Sequence, residues 1–338
     1  MELRMLDIKQ VQINANVDTI LRVYSAAIQK TKGGKPYLFA ELGNRTGKIA
    51  TTWWKLPLNY TAPAVGTMLH VTGTITTYNS TTQLNIINAT PYDGPYAEED
   101  FTIEVSNRIT ACEFNNIIRG IREELQKYDA SLMLAIFDDI LEGLDDKMLT
   151  ATAANSIHHA GIGGWAKHTT EVVYYAQAIY STLPGTIQSK VRKDLLLLGA
   201  FLHDIGKLNT YTFEAGVPVL TDTGKLIEHV VEGVAIVREA CNRVLNDIRW
   251  VNESPISLTN QMYQVKLLEH IIASHHTELE WGSPVNPVLL EAIIVCHADQ
   301  LSASLDTIND ALDESTDSWT AKIFTQHNRS FTSSRGDI

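Results

Sequence analysis

The sequence predicts a multidomain protein, an all-β barrel followed by an all-α domain, and three observations carry that prediction. Between residues 10 and 88 apolar residues alternate in short segments broken by turn residues, which is the pattern of strands. Beyond residue 110 they recur at helical spacing. Between the two regimes lies turn and linker chemistry, Pro91-Tyr92-Asp93-Gly94-Pro95 followed by Glu98-Glu99-Asp100. At 338 residues, with roughly 100 to 200 residues per domain, the chain has room for two domains, each with its own core. The expected layout is a barrel over 1–92, a linker with bridging helices over 93–150, the helical domain over 151–315 and a tail over 316–338.

The first strand signal, Leu21 to Gln29, ends at a glycine tip, Lys32-Gly33-Gly34-Lys35. Tyr37 to Leu42, Lys48 to Trp54, Met68 to Tyr78 and Gln83 to Ile87 follow, with the Gly43 to Gly47 turn and a Pro-containing loop between them. Five strands in this order read as an OB-fold barrel. Lys35 to Trp54, with Leu42-Gly43-Asn44-Arg45-Thr46-Gly47-Lys48-Ile49, resembles nucleic-acid-binding OB domains, which more often carry Asp where this chain has Asn44. Such barrels stack bases on exposed aromatics beside a basic groove. The candidates are Tyr37, Phe39, Trp53 and Trp54, with Lys32, Lys35, Arg45 and Lys48 for phosphates. Because side chains alternate, Trp53 and Trp54 point to opposite faces, and only one can be core. The expected partner is single-stranded RNA or DNA.

Two helices are expected between Ala111 and Leu149, from Phe114, Ile117, Ile118, Ile121 and Leu125 and then Leu132, Ile136, Phe137 and Ile140. Next come a glycine-rich stretch after His158-His159 and a helix from Trp165 to Tyr180. One apolar helix is expected from Asp194 to Leu208, then a loop with Gly216 and Gly224. Helices over Glu228–Asn246, Val265–Ser274 and Leu289–Leu312 complete the domain.

The net charge is −12, but it is unevenly spread: residues 1–90 hold nine basic and four acidic residues, leaving that part at +5 and the remainder at −17. A basic first part suits a polyanion, and an acidic body has carboxylates to spend on metal. Cys112, Cys241 and Cys296 are scattered, without CxxC spacing, which argues against a disulfide framework and for a reducing compartment. No long apolar run or signal peptide is read, so a cytoplasmic protein with no membrane partner is expected, as a homo-oligomer. No GxSxG elbow, Walker loop or plausible Cys nucleophile offers covalent or NTP-driven chemistry.

The leucine-rich Asp194–Leu208 segment carries His203, Asp204 and Lys207. Burying an imidazole and a carboxylate there costs several kcal/mol unless they pair or hold a cation. Alone, the pair reads as a core hydrogen bond. It belongs, however, to an ordered series: His168, His203-Asp204, His229, His275-His276 and Asp299. With His203-Asp204-Ile205-Gly206-Lys207 at its centre, the series resembles the HD superfamily of metal-dependent phosphohydrolases. Adding His158-His159 before Gly163-Gly164, and Ser274-His275-His276 before Glu280-Trp281-Gly282-Ser283-Pro284, the chain resembles the YhaM-type 3′→5′ exoribonucleases from about Val11 to about Leu312.

That resemblance implies an OB domain before an HD domain and a centre of two divalent ions. His168, His203, Asp204 and Asp299 would hold one, and His229, His275 and His276 the second, with Asp204 bridging. Mixed imidazole and carboxylate ligation suits Mn²⁺, Fe²⁺, Co²⁺ or Zn²⁺ better than an all-oxygen Mg²⁺ site; Mn²⁺ is the expected ion, with Mg²⁺, Co²⁺, Fe²⁺ or Zn²⁺ as alternatives. Asp204 and Lys207 are the expected catalytic pair, Lys207 as a point charge on the scissile phosphate, with His159 a weaker phosphate contact. His158, His270 and His297 are expected to support or fill. Gly164 stands where related enzymes with a third ion carry Glu, so no third ion is expected. The implied activity is 3′→5′ hydrolysis of single-stranded RNA, or DNA, to nucleoside 5′-monophosphates by metal-activated water. The competing readings are an HD phosphodiesterase for a small or cyclic nucleotide, with the barrel used for assembly, and a binding protein with a decayed site.

Overall fold

The structure is a computed structural model, and it describes residues 5–78, 81–105, 107–128, 130–154, 159–246, 255–315 and 318–334. The chain divides into two compact units. One comprises Met1–Glu104, Phe213–Val217 and Asp306–Ile338, the other Val105–Thr212 and Pro218–Leu305.

In the first unit five strands close a barrel: β1 (Asn16–Lys30), β2 (Pro36–Asn44), β3 (Gly47–Trp53), β4 (Met68–Tyr78) and β5 (Thr81–Pro91), in the order β1-β2-β3-β5-β4. That order, with β3 and β5 parallel and every other pair antiparallel, is the OB-fold topology. One long strand makes closure possible. β1 pairs with β4 through residues 16–22 and with β2 through residues 22–30, and an irregularity between Val23 and Ser25 bends it where it changes partner. Alternation then sorts the side chains: Leu38, Ala40 and Leu42 of β2 point inward with Leu21, Val71, Ile75 and Leu84, while Phe39 points out. Arg22 of β1 is fully buried, and its guanidinium meets Glu98 Oε2 at 2.8 Å and donates to the Phe101 carbonyl at 3.0 Å. The acidic stretch after the barrel is thereby tied to β1.

The second unit is helical. Its helices are α1 (Ala111–Lys127), α2 (Ser131–Met148), α3 (Gly164–Thr182), α4 (Gly185–Gln188), α5 (Lys193–Leu202), α6 (Lys207–Thr210), α7 (Asp222–Leu245), α8 (Pro255–Ser274) and α9 (Leu290–Glu314). A capping box starts α1: the Thr110 hydroxyl accepts from the Glu113 N–H while the Glu113 carboxylate takes the Thr110 N–H. The helices expected to bridge the domains share a core with the rest of the unit. Phe114 of α1 and Phe137 of α2 lie 5.5 Å and 5.3 Å from the Phe201 ring of α5. Between α6 and α7 stand two short strands, β6 (Tyr211–Glu214) and β7 (Val217–Leu220), where the sequence suggests only a loop. Pro218 and four-residue strands leave too little alternation to read.

The expected single helix over Asp194–Leu208 is broken in the structure. α5 ends at Leu202, and the chain passes His203-Asp204-Ile205-Gly206 in tightened turns, with N–H donation from Ile205 to Leu202 O, Lys207 to Asp204 O and Leu208 to Ile205 O. α7 is interrupted too. Glu228, immediately before His229, has φ 62° and ψ 162°, a backbone region that residues with side chains rarely occupy. Among the described residues no helix is long and apolar enough to cross a membrane.

Candidate metal centre

Three helices and two turns of the second unit bring the seven predicted residues together. His168 comes from the first half of α3, His203 and Asp204 from the turn after α5, and His229 from α7 just past its kink. His275 and His276 follow the end of α8, and Asp299 lies on α9. Close backbone packing makes this possible at Gly206. A Cβ there would stand 2.0 Å from the His229 carbonyl oxygen and 2.7 Å from the Gly233 nitrogen, so only glycine lets the His203-Asp204 turn sit against α7. The Trp165 indole donates to the Asp204 carbonyl at 2.9 Å and holds the turn from the α3 side.

Asp204 faces two sets of donors, one with each oxygen. Its Oδ2 is 3.4 Å from both His168 Nε2 and His203 Nε2, while its Oδ1 is 3.4 Å from His229 Nε2 and 3.5 Å from His275 Nε2. Asp299 Oδ1 closes the first set at 3.1 Å from His168 Nε2. One ligand atom from each of His168, His203 and Asp299 falls within 4.8 Å of the others, and the same holds for Asp204, His229, His275 and His276. Lys207 Nζ lies 2.7 Å from Asp204 Oδ2, so in this structure the lysine pairs with the carboxylate.

The outer ring nitrogens are tied so that Nε2 points inward. His203 Nδ1 donates to the Ala200 carbonyl at 2.8 Å, His275 Nδ1 to Ile272 O at 2.7 Å and His276 Nδ1 to Trp281 O at 2.7 Å. His168 Nδ1 meets the Ser302 hydroxyl at 3.0 Å. With Nδ1 as the donor, the Nε2 lone pairs of His203, His275 and His276 are directed into the site.

The electrostatics differ across the centre. Burial would lower the His168 pKa, but hydrogen bonds to Asp204 and Asp299 outweigh it and push the value up to about 9. Asp204 is held well below the carboxylate range despite its burial, chiefly by Lys207 and then His203. Asp299 is held low by the His168 hydrogen bond and the His203 charge. In the second set burial dominates, pushing His229 well below the imidazole range and His276 down to about 4. Asp204 Oδ1, His229 Nε2 and His275 Nε2 are buried with no hydrogen-bond partner among the described residues. Buried polar atoms left open cost stability, and three of them converging in one pocket fit a cation.

His159 is buried, and its Nε2 meets Glu171 Oε2 at 3.1 Å, so that nitrogen is engaged away from substrate. His158 lies outside the described residues, and His270 Nε2 accepts the Val288 N–H at 3.0 Å. A Cβ at Gly164 would be 1.8 Å from the His159 carbonyl oxygen, which leaves no room for a glutamate there. The sequence reading missed Trp165, Glu171 and Ser302. Each stands three residues from a member of the first set, on the same helical face, and that spacing is the signal that could have found them.

On the barrel, Tyr37 stacks on Trp54 at 4.6 Å, Trp54 is 51% exposed and Phe39 is exposed on the same strand as Tyr37. Trp53 is not available for stacking: it is 3% exposed and packs edge-on against Tyr60 inside the barrel. Lys32 and Lys35 are exposed at the β1–β2 tip. Arg45 reaches Asp100 at 3.5 Å, and Lys48 lies 3.5 Å from Glu41 and over the Tyr24 ring.

Known proteins match this arrangement. Residues 165–304 match the HD domain family, which spans the members of the series from His168 to Asp299. A 3′-5′ exoribonuclease YhaM of Listeria welshimeri is 28% identical over 349 residues, covering 98% of each chain. Its counterpart in a Geobacillus species is 27% identical over 338 residues, covering 95% of this chain and 92% of its own. A solution structure of the second OB-fold domain of replication protein A from Methanococcus maripaludis covers 27% of this chain at 17% identity, with a TM-score of 0.22, and adds nothing to the strand order above. Residues 165–304 are therefore an HD domain, and the chain that carries it behind an OB barrel is similar over nearly its whole length to proteins named 3′-5′ exoribonuclease YhaM.

Proposed function

We propose that the chain is a metal-dependent 3′→5′ exoribonuclease, acting on single-stranded RNA, and on DNA where it is offered, to release nucleoside 5′-monophosphates. The observation that carries this reading is Asp204, a buried carboxylate whose two oxygens face different groups of imidazoles. His168, His203, Asp204 and Asp299 would hold one ion, and Asp204, His229, His275 and His276 the other; such mixed donors suit Mn²⁺, Fe²⁺, Co²⁺ or Zn²⁺. Ions bound there supply Lewis acidity at phosphorus and a nucleophilic water at neutral pH.

The protein's own groups do the rest. His203, His275 and His276, whose Nδ1 atoms donate outward, turn their Nε2 atoms toward the site, and Asp204 ties the two halves together. Lys207 supplies a fixed positive charge for the scissile phosphate once the Asp204 oxygens are occupied. The barrel captures the strand: Tyr37, Phe39 and Trp54 stack bases, and Lys32 and Lys35, with Arg45 and Lys48 behind them, meet phosphates. Similarity that runs through the barrel as well as the HD domain supports a polymeric substrate over a small or cyclic nucleotide. Three free cysteines fit a reducing, cytoplasmic setting. Exposed Leu301 and Leu305, one turn apart on α9, support self-association into a homo-oligomer.

The test is a digest of 5′-labelled single-stranded RNA and DNA with Mn²⁺ or Mg²⁺. The expected result is a ladder shortening from the 3′ end with mononucleotide products, faster on RNA, and binding that weakens steeply with salt. A wild-type protein that leaves oligomers intact while cleaving only a small nucleotide would overturn the reading.

A further inference from the structure

We propose that Ser302 and Glu171 are positioning residues of the reaction, a relay that fixes the His168 imidazole with Nδ1 bonded outward and Nε2 turned toward Asp204 and Asp299. This inference rests on the reading of His168 as an ion ligand. Its geometry is a continuous chain across the second unit. His168 Nδ1 lies 3.0 Å from Ser302 Oγ, Ser302 Oγ lies 2.7 Å from Glu171 Oε2, and the same oxygen lies 3.1 Å from His159 Nε2. Ser302, His168 and His159 are all buried.

The direction of each hydrogen follows from the carboxylate. An ionised Glu171 only accepts, so both of its partners donate to it: Ser302 through its hydroxyl and His159 through Nε2–H. Its hydroxyl hydrogen being committed, Ser302 can only accept from His168, which places the His168 hydrogen on Nδ1 and leaves Nε2 to bind. Glu171 is held below the carboxylate range in spite of its burial, first by the His159 hydrogen bond, which keeps it in the accepting form. His203, His275 and His276 achieve the same polarity with backbone carbonyls, whereas His168 relies on two side chains from α3 and α9. The relay also gives His159 a place: it steadies the carboxylate from the glycine-rich loop and does not touch phosphate through Nε2.

Titration of the full-length chain with Mn²⁺ and with Co²⁺ tests this in Ser302→Ala, Ser302→Thr and Glu171→Gln. Loss of such supporting partners weakens metal binding by about 10- to 100-fold. Ser302→Ala should weaken one of two binding events by that factor, shift the visible absorption of the Co²⁺ bound in that event, and leave the other event alone. Ser302→Thr keeps the hydroxyl and should bind as wild type. Glu171→Gln can still accept from Ser302 but offers its amide to His159, and should weaken the same event by a smaller factor. Wild-type affinity for both ions in Ser302→Ala overturns the proposal, even where its melting temperature falls, because a purely structural serine would give that result. Where Ser302→Ala does not fold, unchanged affinity in the isosteric Glu171→Gln overturns it. Absence of any ion binding by the wild type instead overturns the reading on which it rests.

Discussion

The two donor sets that share Asp204 are built on different kinds of support. The first, His168, His203 and Asp299, is almost wholly enclosed, and its histidines are braced through Ala200 O, Ser302 and Glu171. With its carboxylates it forms a hydrogen-bonded cluster that pushes His168 up to about 9. The second, His229, His275 and His276, sits on a kinked helix and on a turn leading to Trp281, itself 57% exposed. Two of its Nε2 atoms, those of His229 and His275, have no hydrogen-bond partner among the described residues. The first set is thus organised by its own hydrogen bonds, and the second waits for an ion to satisfy it. An enzyme that must admit a strand next to its metal centre gains from having one rigid half and one open half.

The largest effect should come from the residue that belongs to both halves. Asp204→Asn removes the shared charge and should lower hydrolysis of single-stranded RNA by about 10³-fold or more, since several kcal/mol of stabilisation depend on the ions. Strand binding by the barrel should persist, as measured by fluorescence anisotropy of a labelled oligomer. Activity within tenfold of wild type, in protein free of contaminating nuclease, would sink the shared-carboxylate account. One step smaller, His275→Ala and His168→Ala each break one half. Each should reduce bound metal from two ions to one per chain by elemental analysis, and the metal-free melting temperature should fall further for His168→Ala. That substitution takes one hydrogen-bond partner from buried Ser302 and one from Asp299, and a buried group left unsatisfied costs about 1 to 3 kcal/mol. Equal melting temperatures would erase the contrast between a braced set and an open one.

How much of this was legible in the sequence depends on the range of the contact that decides each feature. His168, His203, Asp204, His229, His275, His276 and Asp299 could be singled out because polar groups among apolar helical positions demand a partner. The barrel could be read because its alternation is local, and the same alternation required that one of Trp53 and Trp54 be interior. The relay could not. Ser302 and Glu171 look like ordinary polar residues on helix faces, and they meet only when residues 131 apart in sequence are brought together. The break at His203 was equally hidden: the apolar pattern runs on from Leu195 to Leu208, and the turn is set by Gly206 meeting the His229 carbonyl, a tertiary contact that no local pattern reports.

That contact joins the two halves, and Gly206→Ala measures it. A methyl group 2.0 Å from a carbonyl oxygen forces α7 away from the turn. The expected cost is about 1 to 3 kcal/mol, seen as a melting temperature several degrees lower, with His229 displaced from Asp204 and the second ion bound more weakly than the first. An alanine variant with wild-type stability and equal loss at both ions would mean that the turn and α7 are not locked.

The smallest effect is the most telling about the open half. Glu228 holds a backbone conformation suited to glycine directly before His229, at a cost of about 1 to 3 kcal/mol. Its carboxylate Oε2 stands 3.8 Å from His229 Nδ1, too far for a hydrogen bond but close enough to become one if the ring turns by a small amount. Glu228→Gly removes the strain and the carboxylate together, so the two consequences should separate. The metal-free protein should melt higher, while the affinity for the second ion should fall, because His229 alone among the five histidines would then lack an acceptor beside Nδ1. A variant that is neither more stable nor weaker in metal binding would show that the kink is a passive bend, and that the second set is open for reasons other than strain stored at its edge.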